Sequence, residues 1–158
     1  MLNSKKLKEF LAKLLNPVEL NDPVSFKTTE LDSAVLISSL NGAIISYSNS
    51  DDNKTSINNL KMMCLLCKDR WSEDEQDLDQ QSTKCCYRYQ WQVNNGKSYE
   101  TRIYSYEIEE MHVVVAHIPE SDLIILFIAN KDYPYGLLIL KMKHAINSID
   151  NLYGYKLS

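Results

Sequence analysis

At 158 residues, with 44% apolar and 24% charged side chains, the chain has the size and composition of one globular domain able to bury its own core. A formal net charge of −4 supplies no broad positive field, which argues against nucleic acid as a partner. No apolar run approaches the roughly 18 residues of a membrane span, and neither a glycine after Met1 nor a C-terminal cysteine is present to take a lipid, so membrane contact is expected to be indirect, on the cytosolic side.

The first element is an amphipathic helix. Ser4 offers an N-cap, Leu7, Phe10, Leu11, Leu14 and Leu15 share a face, and Lys5, Lys6, Lys8 and Lys13 lie largely off it. Asn16-Pro17 ends the helix, and the polar stretch to Glu30 reads as a connecting loop. Ala34–Ile37 and Ala43–Tyr47 then flank Asn41-Gly42, a strong hairpin signal because both turn residues tolerate positive φ. Thr55 or Ser56 caps a second helix, read as Ile57 to Trp71.

At about 100° per residue this helix carries two apolar stripes. Ile57, Leu60, Met63, Cys64, Cys67 and Trp71 form one, and Met62, Leu65 and Leu66 form another on nearly the opposite side. A surface helix needs only one such stripe, so a second subunit is the expected cover for the other.

The acidic, glutamine-rich residues 72–84 read as a frayed helix extension or solvated loop with mobility expected there, and 72–98 as a whole reads as a mobile loop or frayed helix extension. Three strands follow, at about Tyr99–Ile108, Met111–Ile118 and Leu123–Asn130, joined by Glu109-Glu110 and by Pro119 to Asp122. Short links favour antiparallel neighbours. The latter two strands are continuously apolar around Val113–Val115 and Leu123–Ile128, as central strands are; the first alternates and reads as an edge strand. Pro134 opens a last helix with Leu138, Met142, Ala145, Ile146, Ile149, Leu152 and Tyr153 at helical spacing before Gly154. The expected architecture is α/β (α+β), one domain over residues 1–158, with a central five-stranded antiparallel sheet, helices on both faces and element order αββαβββα.

That order is similar to the roadblock or dynein-light-chain arrangement. Ile57-Asn58-Asn59-Leu60-Lys61-Met62-Met63 through Leu65, Leu66, Lys68 and Asp69 to Trp71-Ser72-Glu73-Asp74-Glu75 resembles the second helix of the small fungal roadblock subunits of the EGO complex. So do Ile118-Pro119, Ser121-Asp122-Leu123, Leu126-Phe127-Ile128-Ala129, Pro134-Tyr135-Gly136-Leu137-Leu138 and Gly154-Tyr155-Lys156-Leu157. The resemblance implies a non-catalytic, cofactor-free scaffold subunit of a Ragulator-like complex on the cytoplasmic face of the vacuolar, lysosome-like membrane. Its implied partners are a sister roadblock subunit or a second copy of itself, a lipidated membrane-anchoring subunit, and a Rag-type GTPase heterodimer that supports amino-acid-dependent target-of-rapamycin signalling. The resemblance also admits an effect on nucleotide exchange by those GTPases. Roadblock pairing joins edge strands and second helices, which selects Met62, Leu65, Leu66, Arg102, Tyr104 and Tyr106 as the candidate subunit interface.

Other motifs weigh less. Cys64-Leu65-Leu66-Cys67 has the spacing of a redox pair or half a zinc site, but both cysteines fall inside an apolar helical stripe, the place of packed free thiols; the vicinal pair Cys85-Cys86 is poor geometry for tetrahedral zinc. His112, His117 and His144 stand at no ligand or catalytic spacing, and the run Glu73, Asp74, Glu75, Asp77, Asp79 lacks the glycine of a calcium loop. No phosphate-cradling glycine motif occurs. The lysines of the first helix admit accessory contact with anionic lipid.

Overall fold

The structure is a computed structural model that describes residues 3–16, 31–50, 56–76, 86–93 and 96–157. Its elements are α1 (Ser4–Leu14), β1 (Ser33–Ser38), β2 (Ile44–Asn49), α2 (Ile57–Gln76), β3 (Cys86–Gln92), β4 (Ser98–Ile108), β5 (Met111–His117), β6 (Leu123–Asn130) and α3 (Tyr135–Ser148), followed by a 3₁₀ turn, Asp150–Leu152. The strands form one antiparallel sheet in the order β2-β1-β6-β5-β4-β3.

Strands β1, β5 and β6 occupy the middle and alternate their apolar side chains between two cores. On one face Ala34, Leu36, Val114, Ile125 and Phe127 pack under α1 and α3, which contribute Leu7, Leu11, Leu14, Leu138, Met142 and Ile146. On the other, Val35, Ile37, Val113, Val115, Ile124 and Leu126 pack under Leu60, Met63, Cys64 and Cys67 of α2. Each large aliphatic side chain buried this way contributes roughly 1.5–3 kcal/mol, and covering both faces explains why these strands are continuously apolar.

Local chemistry fixes the ends of the elements. Asn3, not Ser4, caps α1, its Oδ1 accepting from the Lys6 N–H at 3.1 Å. Ser56 caps α2 through its Oγ, which accepts from the Asn59 N–H at 3.2 Å. The β1–β2 connection is longer than a two-residue turn: only Gly42 adopts positive φ (+76°), and Asn41 acts through its side chain, whose Oδ1 accepts from the Ala43 N–H at 2.9 Å. The register shifts between Leu36 and Ile37, leaving one extra residue in β2.

Three expectations are corrected. The sheet has six strands rather than five, because Cys86–Gln92 pairs along β4 from Tyr104 to Ser98. Within 72–98, expected as a mobile loop or frayed helix extension, α2 does extend to Gln76, but Cys86–Gln92 is strand β3 rather than loop. Strand β4 is not an edge, since it lies between β3 and β5; among the described residues the edges are β2 and β3.

Candidate interaction surface

Helix α2 presents its second stripe outward. Met62, Leu65 and Leu66 are 57%, 49% and 43% exposed, whereas Leu60, Cys64 and Cys67 on the inner stripe are at most 1% exposed. The two-stripe wheel thus resolves into one face packed on the sheet and one left to solvent. Ile57, read as part of the inner stripe, sits at the first turn and is exposed. Leu65 also rests against the β1–β2 loop, its Cδ2 3.0 Å from where a Cβ on Gly42 would stand, and the positive φ at Gly42 is what calls for glycine there.

The candidate residues of β4 stand elsewhere. Tyr104 and Tyr106 are 2% exposed and lie beneath α2, so their rings belong to the inner core and cannot form a pairing surface. The physical reason is the extra length of the helix. Glu73, Asp74 and Glu75 occupy its C-terminal turns, where the helix dipole disfavours negative charge, and β4 supplies the compensation. The Tyr106 hydroxyl donates to Asp74 Oδ2 at 2.6 Å, the Tyr104 hydroxyl to Glu75 Oε1 at 3.1 Å, and Arg102 Nη1 to Glu75 Oε2 at 3.0 Å. The Arg70 guanidinium lies 4.3 Å from the Tyr106 ring centroid. Burial first, then the adjacent carboxylates, push both phenols far above their usual range, so they stay protonated donors. Arg102, Tyr104 and Tyr106 fasten the α2 C-terminus; the two rings are buried there, whereas Arg102 keeps part of its side chain exposed.

The edge role passes to β3. Among the described residues no strand pairs with its outer side, which leaves backbone donors and acceptors unpaired along Cys86–Gln92. The signal for this strand was present in Tyr87, Tyr89 and Trp91 alternating with Arg88, Gln90 and Gln92, ahead of Asn94-Asn95-Gly96. Its aromatic side chains pack toward α3: Tyr89 stacks on Trp91 at 4.7 Å, and the hydroxyls of Tyr87 and Tyr89 accept from Lys143 Nζ and Asn147 Nδ2, each at 2.7 Å.

The remaining motifs are structural in their surroundings. Burial raises the thiols of Cys64 and Cys67 to about 12, so at neutral pH they are protonated thiols packed in the core beneath α2. Cys86 is raised in the same sense, and Cys85 lies outside the described residues. His117 is half-buried against Trp71, with ring centroids 5.4 Å apart, and its Nε2–H donates to the Ser121 carbonyl at 2.7 Å; desolvation lowers its pKa and keeps it neutral. His112 bridges the Tyr133 carbonyl and Glu107, and His144 is exposed. Of the acidic run, Asp74 and Glu75 are committed to β4, while Asp77 and Asp79 lie outside the described residues. Lys5, Lys6, Lys8 and Lys13 are exposed on α1. No helix among the described residues is long and apolar enough to cross a membrane.

A family model described as Protein SLM4 matches residues 1–157. A relative with that description from Saccharomyces cerevisiae (strain ATCC 204508 / S288c) is 47% identical over 165 residues, covering 99% of this chain and 98% of the relative. Among solved structures, MglB in a tetrameric arrangement matches with a TM-score of 0.64 at 13% identity, over 94% of this chain and 88% of that one. The gliding protein MglB from Thermus thermophilus gives 0.63 at 13%, over 94% and 89%. A Roadblock/LC7 domain from Streptomyces avermitilis gives 0.55 at 14%, over 91% and 94%; at such identities the fold is what is shared. The chain therefore belongs to the Protein SLM4 family and has the roadblock fold.

Proposed function

We propose that this chain is a non-catalytic scaffold subunit that pairs through the outer face of α2 and the free edge of β3, and that the paired assembly holds Rag-type GTPases at the vacuolar membrane as part of an EGO-type, Ragulator-like complex. Family membership and the roadblock fold support the broader reading of a small regulatory or scaffold adaptor. The observation that carries the pairing is the exposure of Met62, Leu65 and Leu66 on a helix whose opposite stripe already fills the core. Three large apolar side chains held in water on one helix face gain by being covered, and an unfinished sheet edge offers main-chain hydrogen bonds to whatever covers them.

The partner is a second copy or a sister roadblock subunit. In this reading, recruitment to the membrane comes from a lipidated subunit, and the exposed lysines of α1 are at most accessory to it.

The test is recovery from membranes. Tagged chain purified from a membrane fraction should bring down a Rag-type GTPase pair and a lipidated subunit, and Leu66→Glu should lose them together with the roadblock partner. Undiminished recovery with Leu66→Glu would place the interface elsewhere; recovery of a paired chain without GTPases would overturn the scaffold reading while leaving the pairing intact.

A further inference from the structure

At the end of the β3–β4 hairpin, away from the outer stripe of α2, an open cleft of about 610 Å³ lies between the sheet and the 3₁₀ turn after α3. Its walls are aromatic. Trp91 and Tyr99 stand 5.7 Å apart with their planes within 27°, and Tyr153 meets each at 66°, with centroids 6.1 Å and 4.9 Å away, so the rings make a corner rather than a flat patch. The corner is held in place. Tyr89 backs Trp91, and the Tyr153 hydroxyl donates to the Ile146 carbonyl at 2.7 Å.

At the mouth of the corner stand Asp150 and Asn147, both exposed. Among the described residues the Asp150 carboxylate has no ion pair. Asn147 uses its Nδ2 on the Tyr89 hydroxyl, which leaves its carbonyl oxygen as an acceptor. Rings of this sheet end already take cations: Lys97 Nζ lies 5.0 Å from the Tyr99 centroid, and Lys143 Nζ lies 4.3 Å and 5.4 Å from those of Tyr87 and Tyr89. No cation lies over Trp91 or Tyr153 among the described residues.

From this corner we infer that the cleft is a docking site for an arginine side chain of a partner polypeptide, with the guanidinium against Trp91 and Tyr153 and its N–H groups on Asp150. The charge of the site selects a cation, since the ring faces and the unpaired carboxylate are both electronegative. The acceptors at its mouth select a cation that donates hydrogen bonds, which a quaternary ammonium group does not. Between the two donating side chains, the planar guanidinium stacks on an indole while presenting two parallel N–H groups to one carboxylate; a lysine ammonium does one or the other. The site uses none of Met62, Leu65 and Leu66, although its Trp91 comes from β3, the strand whose backbone edge the proposed pairing uses.

The test is a titration of the ¹⁵N-labelled full chain with acetyl-Gly-Arg-Gly-amide, following the two tryptophan indole signals; Trp71, in the α2 core, is the internal control. The Trp91 indole should shift saturably and that of Trp71 should not. Asp150→Asn, an exposed and near-isosteric change, should weaken binding roughly tenfold, as expected for loss of a charge-assisted hydrogen-bond pair. The citrulline peptide, equal in shape but uncharged, should bind no better than the Asp150→Asn variant binds arginine. No saturable shift at millimolar peptide, equal binding of citrulline, or tighter binding of a trimethyllysine peptide than of the arginine peptide would each overturn the assignment.

Discussion

Lys141 lies on the core-facing side of α3 at 8% exposure, and its ammonium donates to the carbonyl of Asn16, just past the end of α1. The contact ties α1 to α3 at the helix end where a positive charge is favoured, yet burial dominates and lowers the lysine from 10.5 to about 8. Below about pH 8 both folded and unfolded chains carry this proton, so the desolvation penalty is fully present; between about 8 and 10.5 only the unfolded chain keeps it, and this group makes stability rise with pH. The lowering corresponds to about 3 kcal/mol, less about 1 kcal/mol for the hydrogen bond lost on substitution, because water reaches the exposed Asn16. Lys141→Met should therefore be about 2 kcal/mol more stable than the parent at pH 7 in urea unfolding, and the gap should narrow toward pH 9. A variant less stable at pH 7, or a gap that widens with pH, would show that the Asn16 contact outweighs burial. Above about pH 9 the buried thiols of Cys64 and Cys67, held protonated to about 12, pull the other way in both proteins, so the comparison belongs below that point.

At the scale of elements, the β4–β5 hairpin is the place where local preference and fold disagree. Its two turn residues are Glu109 and Glu110, at φ of +50° and +67°, between the paired Ile108 and Met111. A two-residue turn of this kind matches the twist of the strands only with both central residues left-handed, which asparagine and glycine tolerate and glutamate does not. Glu109→Asn with Glu110→Gly should stabilise the chain by about 1–2 kcal/mol and raise the melting temperature by several degrees; an unchanged melting temperature would mean that neighbouring contacts relieve the strain. The same elements show what could be read in advance. Continuous apolar runs marked β5 and β6 correctly as doubly covered, because burial on both faces leaves no polar alternation to confuse. The alternation of β4 was misread as an edge because it has another origin: Arg102, Tyr104 and Tyr106 are polar at their tips in order to meet Asp74 and Glu75, contacts that lie 27 or more residues away and leave no local pattern. Strand β3 did carry its own pattern in Tyr87, Tyr89 and Trp91, which the acidic run before it obscured. The cleft was not legible at all, since Trp91, Tyr99, Asp150 and Tyr153 converge only once β3 lies beside β4 and α3 has ended.

For the molecule as a whole, the pairing proposed for the outer stripe of α2 would make stability a question of concentration. With helices on both faces of the sheet, the core on the α2 side lies beneath the opposite stripe, so the exposed apolar surface of Met62, Leu65 and Leu66 adds little to the fold of an isolated chain. Covering it in a pair stabilises the native state but not the unfolded one, and mass action then raises the melting temperature as the protein is concentrated. The purified chain should melt at progressively higher temperature over a roughly hundredfold increase in concentration. Leu66→Glu should melt near the low-concentration limit of the parent at every concentration, because a carboxylate at a side chain already 43% exposed does little harm to the single chain but is costly when sealed between two helices. A flat profile for the parent would show that it does not pair with itself and would direct the search to a sister subunit. If the variant followed the same rising profile as the parent, the chain would pair through a surface other than this stripe. If the variant melted far below the parent even at the dilute limit, Leu66 would belong to the core after all.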